Sequence, residues 1–452
     1  MTEKDFICEM AEHIIRDETS LFLGAGSSCS VGFPSWSKLL EECAEKLGIK
    51  IKKDTDLFAI AQYFSNNYGK TELQKIVKSV LNKKFDYESD LLNSIMNLNF
   101  KNIWTTNYDS VIENNLSERK IVTNTVIRDS DLVSLIPQSQ VNIYKLNGDV
   151  SDSDNIVITK SDIEQYNDNH KLLLTFFKKE LVSNTFLFLG YSFSDSIVLP
   201  CLAFISNYLN DKNNYHYTII EKKNTPLHDN FIKDLERRYH IKTLEVKSNE
   251  QIPDILNKLI KKIQSYRVFI SGSFINLASD DDIFANQLSK ELTYRLLKKY
   301  QIYSGMGYKL GNYISGYALN FLSEEHISNI EHHLLMRPFV EHMSETQINH
   351  HRESLIEQCK FAIFMFGDSK RHSNIHPSLG VWDEYQMAKA KGKIIIPIGS
   401  TGYEAKIIYN DVLNNMTMYP YLEKYIHKLG NSKEPEEITK IILQIISEHN
   451  SH

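Results

Sequence analysis

Residues Ser20–Ser28 read SLFLGAGSS, a short apolar run that ends in glycines and serines. An apolar run of this length predicts a buried β-strand. The stretch SWSKLLEECAEKL that follows has apolar residues at helical spacing, which predicts a helix. The order strand, glycine loop, helix places backbone N–H groups at a helix N-terminus, where they suit a phosphate group.

The alternation of strands and helices continues through the first half of the chain. Helices are predicted between the strands, for example at KTELQKIVKSVLNKK and HKLLLTFFKKELV. This alternation favours a parallel sheet covered by helices. The further strands predicted in this half are KNIWTTN, VNIYKLN, NIVITK, NTFLFLGYS, YHYTIIE and IKTLEV.

The same order begins again after a helical stretch at residues 251–264. YRVFISGSF is a strand that runs into a glycine loop, and a helix, the strand QIYSG and a second glycine loop, GMGYKLGN, follow. Later strands are predicted at KFAIFMFG and GKIIIPIG. We therefore expect an α/β protein with two Rossmann-like parallel-sheet domains in tandem, at residues 1–264 and 265–452.

Composition excludes several classes of protein. The chain has 452 residues, which is too long for one ordinary core, and a net charge of -6 from 51 basic and 57 acidic side chains. This balance gives no overall attraction for a nucleic acid. No apolar run approaches the roughly 18 residues that span a bilayer. We expect a soluble, cytoplasmic protein with neither a nucleic-acid nor a membrane partner.

The cysteines argue against metal and disulfide chemistry. There are five, and none forms a C-x-x-C pair that could supply half of a zinc site. Wide spacing and an odd number fit a reducing compartment, so we expect no disulfide and no metal. The five cysteines are Cys8, Cys29, Cys43, Cys201 and Cys359.

Four short motifs of the first half occur in the order that sirtuin-like domains show. GAGSSCSVGFPSW, TTNYD, KLNGD and LFLGYSFSD resemble their NAD-binding loop, Asn-x-Asp, His-Gly and Gly-x-Ser motifs. Each motif alone could be a turn or a helix cap, but their joint order is far more specific. The first motif lacks the G-x-G-x-x-G spacing of dehydrogenases, which disfavours hydride transfer. The resemblance implies NAD binding by Gly24, Ala25, Gly26, Ser28, Pro34, Trp36, Gly190 and Ser192.

The resemblance also implies a catalytic set of Asn107, Asp109 and Asn147. Cleavage of the bond between nicotinamide and ribose builds positive charge on the sugar, so the site must hold the sugar hydroxyls and a water. Asn107 would provide that positioning. Asp109 would support the nicotinamide end of NAD or orient Asn107.

Asn147 stands where the sirtuin-like pattern has a histidine that takes up a ribose hydroxyl proton. A carboxamide can accept a hydrogen bond from that hydroxyl but cannot take its proton near pH 7. Three interpretations stay open. The protein is a slowed enzyme, in which Asn147 is either natural or an inactivating substitution, or it is a catalytically inactive nucleotide sensor. The third interpretation is that KLNGD only forms a hairpin turn, since Asn-Gly favours tight turns. A deacylase is disfavoured, because the scattered cysteines cannot build the zinc module of those enzymes.

The second half resembles a SLOG domain, a Rossmann-like module that binds nucleotide-derived ligands. FISGSF, SGMGYKLGN, LLMRPF, FMFGDS and GVWDEYQMAKAKGKIIIPIGSTGY carry the resemblance. Arg337 offers a planar cation for phosphate, and Glu384 offers a carboxylate for ribose hydroxyls or a base. Their simpler interpretations are a surface salt bridge and a solvated helix face. The residues expected to bind the ligand are Ser271, Gly272, Ser273, Gly307, Leu310, Gly311, Arg337, Gly367, Glu384 and Gly399.

A sirtuin-like domain followed by a SLOG domain resembles the effectors of Thoeris anti-phage defence. The resemblance implies that NAD is the substrate and that a cyclic ADP-ribose isomer activates the protein by binding to the SLOG domain. It also implies a homo-oligomer, either a tetramer or a filament. The second half is therefore expected to sense small-molecule nucleotides rather than to catalyse a reaction.

Overall fold

The computed structural model describes residues 1–52, 55–81, 88–136, 139–209, 214–275, 279–339, 342–371 and 374–451. The chain divides into two compact units, Met1–Ile260 and Lys261–His452. Each unit is a parallel sheet flanked by helices, which confirms the predicted α/β class with two Rossmann-like domains in tandem.

The sheet of the first unit is parallel throughout its described pairs. Its strands are β1 Thr19–Leu23, β2 Asn102–Thr105, β3 Thr123–Val126, β4 Val141–Lys145, β5 Thr185–Leu189, β6 His216–Glu221 and β7 Ile241–Val246. Their order across the sheet is β3-β4-β2-β1-β5-β6-β7. Every residue of β1 and β5 is buried, as their unbroken apolar runs predict for central strands covered on both faces.

Helices cover this sheet, and the last of them crosses the division between the two units. Phe177 on one of these helices packs against Phe22 of β1 and Trp104 of β2. The helices are α1 Glu3–Ile15, α2 Ala25–Cys29, α3 Trp36–Leu39, α4 Glu41–Lys46, α5 Leu57–Tyr68, α6 Lys70–Leu81, α7 Asp90–Met96, α8 Val111–Glu118, α9 Lys160–Glu164, α10 Tyr166–Asn169, α11 Lys171–Ser183, α12 Val198–Leu209, α13 Pro226–Tyr239 and α14 Ile252–Gln264.

One predicted strand of this unit is wrong. Residues 155–160, NIVITK, form no strand; their apolar side chains are buried, but the Val157 N–H donates to the Asn147 carbonyl at 2.9 Å. The Asp162 carboxylate accepts from the Ile158 and Thr159 N–H groups, which begins α9 instead. A short apolar run is consistent with a strand or with any other buried segment, and here the backbone hydrogen bonds decide.

Two further elements differ from prediction. The stretch SWSKLLEECAEKL forms two short helices, α3 and α4, rather than one. Strand β3 was not predicted, since its sequence TNTV is short and half polar, with alternating buried positions. Such a strand is stabilised by its neighbour in the sheet rather than by an apolar run.

The second unit repeats the architecture with a smaller sheet. Its parallel strands are β8 Arg267–Ser271, β9 Gln301–Ser304, β10 Leu334–Met336, β11 Phe361–Phe364 and β14 Ile394–Pro397, in the order β10-β9-β8-β11-β14. Strands β12 Asp368–Arg371 and β13 Asn374–Pro377 form an antiparallel pair. The helices are α15 Ser279–Leu297, α16 Leu310–Glu324, α17 Glu345–Glu357, α18 Leu379–Ala390, α19 Tyr403–Asn414, α20 Ile426–Asn431 and α21 Pro435–Ser451.

Both sheets have a topological switch point beside their first strand. In the first unit β1 lies between β2 and β5, and in the second β8 lies between β9 and β11. Loops that leave neighbouring strands in opposite directions open a crevice at the carboxyl edge of the sheet, where open α/β sheets bind ligands. The glycine loops that follow β1 and β8 therefore lie where a nucleotide is expected.

Candidate functional site

A cavity of about 1040 Å³ opens in the first unit. Residues from all four sirtuin-like motifs line it, because β1, β2, β4 and β5 are neighbours and their carboxyl ends meet at one edge of the sheet. Gly24 belongs to the first motif but does not line the cavity. The predicted residues that do are Ala25, Gly26, Ser28, Pro34, Trp36, Asn107, Asp109, Asn147, Gly190 and Ser192.

The loops that follow β1 and β5 touch through their backbones. The Gly24 N–H donates to the Leu189 carbonyl at 3.0 Å, and the Gly26 N–H donates to the Gly190 carbonyl at 2.9 Å. A Cβ atom on Gly24 would lie 2.4 Å from the Gly190 oxygen, and Gly190 itself has a φ of +64°. Loop packing at the switch point thus requires these glycines, and the N–H groups of Gly24 and Gly26 are already used within the protein.

The side chain of Asn107 has a defined orientation. Its Nδ2 donates to the Gly24 carbonyl at 3.1 Å and to the Ser28 hydroxyl at 3.0 Å. A carbonyl oxygen can only accept, so the amide nitrogen must face Gly24. Oδ1 then remains as the acceptor for a water or a sugar hydroxyl in the cavity that Asn107 lines.

Asp109 is a buried carboxyl group beside Asn107. Its Oδ1 accepts from the Val111 N–H at 3.1 Å. Burial raises the pKa of Asp109, although Lys145, the Val111 N–H and the nearby Ser28 hydroxyl oppose the shift. Ser28, which accepts from Asn107, is therefore also a neighbour of Asp109, an arrangement that suits the predicted orienting role of Asp109.

Asn147 lies in a turn directly after β4. That strand pairs in parallel with both β2 and β3, and the positive φ of the turn, +83°, belongs to Gly148 rather than to Asn147. The hairpin interpretation is therefore wrong. The Tyr108 hydroxyl lies near the Asn147 side chain and donates to the Val157 carbonyl at 2.7 Å. Its Oδ1 is buried and has no partner among the described residues.

The other predicted residues of the first unit lie around these asparagines. The Trp36 ring packs edge-on against Phe58, at 4.2 Å between centroids, and its Nε1 is buried without a partner in the described part of the chain. The Ser192 hydroxyl is exposed and hydrogen-bonds Ser194 at 2.7 Å. These groups give the cavity an aromatic wall and a polar wall, which suits a nucleotide.

Sequence reasoning missed a buried ionic group beneath the cavity. Lys145, at the end of β4, contacts the carboxylates of Asp149 and Glu113 and the carbonyl of Asp109. A lysine and an aspartate four residues apart at the end of an apolar strand were the available signal. Asp195, which also lines the cavity, accepts from the Ile197 and Val198 N–H groups, and burial raises its pKa.

In the second unit Ser271, Glu384 and Arg352 form one polar cluster. The Ser271 hydroxyl donates to Glu384 Oε2, and Arg352 Nε lies 3.5 Å from Glu384 Oε1. Only 6% of Glu384 is exposed, so the interpretation as a solvated helix face is wrong. Burial raises the pKa of Glu384, although Ser271 and Arg352 oppose the shift. Arg352, over the Phe339 ring, was not predicted, because a lone arginine in a polar helix gives no signal.

The glycine loops of the second unit also pack on each other. A Cβ atom on Gly307 would lie 1.9 Å from the Gly272 carbonyl oxygen. The Ser273 carbonyl accepts from the N–H groups of Gly367, at 2.8 Å, and Asp368, at 3.1 Å. The loops after β8, β9 and β11 are thereby joined at the switch point.

The remaining predicted residues of this unit have mixed surroundings. Gly311 packs on Met306 and Gly399 on Tyr409, while Leu310 is buried at the start of α16. The Arg337 guanidinium donates to the Ser354 hydroxyl at 2.5 Å. Within the described ranges, that hydroxyl is the hydrogen-bond partner that the structure shows for it.

Two absences concern the described part of the chain. Among those residues, no group of three or more His, Cys, Asp or Glu side chains is placed to hold a metal ion. In the same ranges, each helix is too short or too polar to cross a bilayer.

Comparison with known proteins supports the assignment of both units. Residues 101–244 match the model of the SIR2-like domain, and residues 251–449 match the Sir2- and TIR-associating SLOG family. A relative from Enterococcus faecium named NAD(+) hydrolase ThsA is 30% identical, over 100% of this chain and 99% of its own. Proteins of the same name from Cytobacillus dafuensis and Bacillus cereus are 29% and 28% identical, over 99% and 98% of this chain and 97% of theirs. These matches confirm the order of sirtuin-like unit and SLOG unit, and the chain belongs to the ThsA family of NAD(+) hydrolases.

Proposed function

We propose that this protein cleaves NAD⁺ into nicotinamide and ADP-ribose in the cytoplasm, as an effector of anti-phage defence that a cyclic ADP-ribose isomer activates. The observation that carries the proposal is the single cavity in which all four sirtuin-like motifs of the first unit meet. Two of the asparagines that line it, Asn107 and Asn147, follow neighbouring strands of one sheet. The relatives named as NAD(+) hydrolases, which match nearly the whole chain, support the same reaction.

The reaction breaks the bond between ribose C1′ and the nicotinamide nitrogen. The electron pair of that bond leaves with nicotinamide, a water oxygen forms the new bond to C1′, and one proton is released. Because positive charge builds on the ribose, neutral acceptors that hold the sugar hydroxyls and the water lower the barrier by orientation. Asn107 Oδ1 is such an acceptor, and its amide nitrogen is held by Gly24 and Ser28.

Asp109 assists this geometry through Ser28. The Ser28 hydroxyl accepts from the Asn107 amide and lies near the Asp109 carboxyl group, so we propose that Asp109 helps to fix the direction in which Asn107 faces the substrate. When a buried carboxyl group is ionised, it also stabilises a positive charge that develops near it. We assign Asp109 to orientation of Asn107 and to this electrostatic support.

Asn147 determines how fast the ribose hydroxyl loses its proton. Its unpartnered Oδ1 can accept a hydrogen bond from a ribose hydroxyl, and a buried acceptor gains about 1–3 kcal/mol when such a partner arrives. It cannot remove the proton. We therefore propose binding of NAD with slowed cleavage.

A second candidate function is a nucleotide-binding protein without catalysis. Asn147 in the histidine position favours it, together with the lining of the cavity, which contains no histidine within the ranges that the structure describes. In that case NAD would bind at the same cavity and remain intact.

For the second unit we propose that the cyclic nucleotide binds beside Ser271, Glu384 and the two arginines, Arg337 and Arg352. Support comes from the switch-point position and from charged groups suited to phosphate and ribose. The family resemblance further implies a homo-oligomer, a tetramer or a filament. Light scattering of the full chain with and without the nucleotide tests that assembly.

The deciding experiment is to incubate the full chain with NAD and follow free nicotinamide, with and without cyclic ADP-ribose isomers. Nicotinamide release that increases with one isomer supports the proposal. Calorimetric binding of NAD without release, in the presence of every isomer, would establish the non-catalytic alternative. Nicotinamide release that no isomer changes would support the hydrolase activity and refute its activation by a cyclic nucleotide.

A further inference from the structure

Lys145 is a buried cation that the reaction itself does not use. It is the last residue of β4, and 1% of its side chain is exposed. An ammonium group has three donors, and the structure gives this one three acceptors. They are the Asp109 carbonyl, Glu113 Oε1 at 3.1 Å and Asp149 Oδ2.

The acceptors belong to both loops that carry the asparagines of the site. The Asp109 carbonyl lies in the loop after β2, two residues beyond Asn107, and Asp149 lies in the turn after β4, two residues beyond Asn147. Asp149 Oδ1 also accepts from the Ser151 N–H at 2.7 Å, which fixes the shape of that turn. One ammonium group therefore links the backbone of one loop to the side chain that shapes the other.

The ionic state of this group fits such a link. Burial opposes charge on Lys145, but the neighbouring carboxylates of Glu113 and Asp149 outweigh it and raise the lysine pKa. Burial likewise opposes ionisation of Asp149, and Lys145 outweighs it and lowers the pKa of that carboxyl. The pair thus stays charged near neutral pH.

Stability alone does not explain a buried ion pair. Desolvation of two charges costs several kcal/mol, and an apolar pair of similar volume is often at least as stable. What an apolar pair lacks is direction, because packing does not fix distances as hydrogen bonds do. The arrangement therefore indicates a requirement for geometry.

We propose that Lys145 and Asp149 are positioning residues for NAD hydrolysis, which hold the loop of Asn107 and the turn of Asn147 at a fixed spacing. This inference rests on the proposed function of the cavity. Neither side chain appears among the residues that line the cavity in the described ranges, so both act through the residues they hold.

The test variant is Asp149→Asn. Both carboxylate oxygens of Asp149 accept hydrogen bonds, one from Lys145 and one from Ser151, whereas asparagine offers a single acceptor. Loss of the spacing should lower kcat for nicotinamide release about 100-fold, the cost of a misplacement of about 1 Å, with little change in KM. Asp149→Glu keeps the charge but shifts the ammonium group, and it should show the same loss of kcat if the asparagine variant fails to fold.

Asp162→Asn is the matched control. Asp162 is a mostly buried aspartate that pairs with Lys70 at 2.6 Å and accepts backbone N–H groups, and it does not line the cavity. Its substitution should lower the melting temperature of the protein while kcat stays within a factor of about two. An equal loss of kcat in this control would show that Asp149 acts through general stability and would overturn the proposal.

A second readout does not depend on activity. Amide hydrogen exchange at residues 106–110 and 146–152 should become faster in Asp149→Asn but not in Asp162→Asn. If neither the parent protein nor its Asn147→His variant releases nicotinamide, the proposed function fails, while exchange still shows whether the two loops are held. Unchanged kcat in an active protein, or unchanged exchange in both loops, would refute the positioning role.

Discussion

The two units have their glycine loops at equivalent switch points, but the polar groups beside those loops differ in their hydrogen-bond partners. In the first unit, Asn147 lines the cavity, and its buried Oδ1 has no partner among the described residues. In the second unit, the Glu384 carboxylate is already bonded by Ser271 and lies beside Arg352. The same topology therefore supports one site with an unused acceptor and one site whose charges are paired.

This difference bears on what each site can do. A buried acceptor without a partner gains free energy when a substrate hydroxyl arrives, which suits a site that holds a sugar for reaction. A ligand that binds a paired carboxylate competes with its existing partners, and a change in those contacts can favour another conformation. The comparison thus favours chemistry in the first unit and sensing in the second.

The largest effect is expected from Asn107→Ala. Loss of the oriented carboxamide should reduce nicotinamide release to background while the affinity for NAD stays within about tenfold, since the residues after β1 and β5 are proposed to supply most of the binding. Asn102→Ala is the control, because Asn102 begins the same strand at the opposite edge of the sheet. Undiminished turnover in Asn107→Ala would remove Asn107 from the catalytic set.

Asn147→His tests the unused acceptor directly. Restoring a group that can take the ribose proton should raise activator-dependent release of nicotinamide by about 10²- to 10⁴-fold. The substitution should cost little stability, because the positive φ of this turn belongs to Gly148. Release of nicotinamide and thermal unfolding are measured on the same pair of proteins. A variant that is destabilised and no faster would contradict the catalytic interpretation of this position.

The two arginines test the paired site of the second unit. Arg337→Ala should weaken binding of the cyclic nucleotide by about 1.5–3 kcal/mol without lowering the melting temperature, since its described partner is the Ser354 hydroxyl. Arg352→Ala should weaken binding and also lower the melting temperature, because it leaves Glu384 buried without its cation. Calorimetry and thermal unfolding separate the two. Unchanged binding of the cyclic nucleotide in both variants would show that it binds at another site.

The smallest effect concerns the pH dependence of stability, on which one buried group of each unit should act in opposite directions. His216 in β6 is fully buried, its Nδ1 accepts from the Phe186 N–H, and burial lowers its pKa to about 3. The unfolded chain then binds a proton that the folded chain does not, so the contribution of His216 to the free energy of unfolding should fall by about 2 kcal/mol from pH 6.5 to pH 5. Glu384 has a raised pKa, so its contribution is full at acidic pH and is lost as the pH rises.

His216→Asn tests the contribution of His216 to this pH dependence. Asparagine keeps an acceptor close to the position of Nδ1 but does not titrate. The free energy of unfolding, measured with denaturant and monitored by hydrogen exchange in β5, should therefore depend less on pH between pH 5 and 6.5 than it does in the parent protein. Equal slopes in the two proteins would show that another group governs the acid sensitivity of the first unit.

Local sequence pattern was sufficient for most of the fold and for the motif residues of the first site. SLFLGAGSS and YRVFISGSF each combine an apolar run with glycine, and both become strands; the first is followed by Gly24 and helix α2, the second by a glycine loop. The same local signal failed at residues 155–160, where burial did not imply pairing in a sheet. Apolar runs report burial, and the neighbouring backbone decides whether a buried segment is a strand.

Sequence patterns were sufficient to identify two Rossmann-like units, the order of their motifs and the positions of Asn107, Asp109 and Asn147 beside strand ends. The tertiary structure was needed to show that Lys145 is buried, that Arg352 is mostly buried and that both lie beside carboxylates, because a charged side chain is stable inside a protein only where distant residues supply its partners. It was also needed to show that Asn147 of KLNGD lies at the cavity and not in a hairpin. Asn-Gly permits both outcomes, and the parallel pairing of β4 with β2 and β3 chose between them.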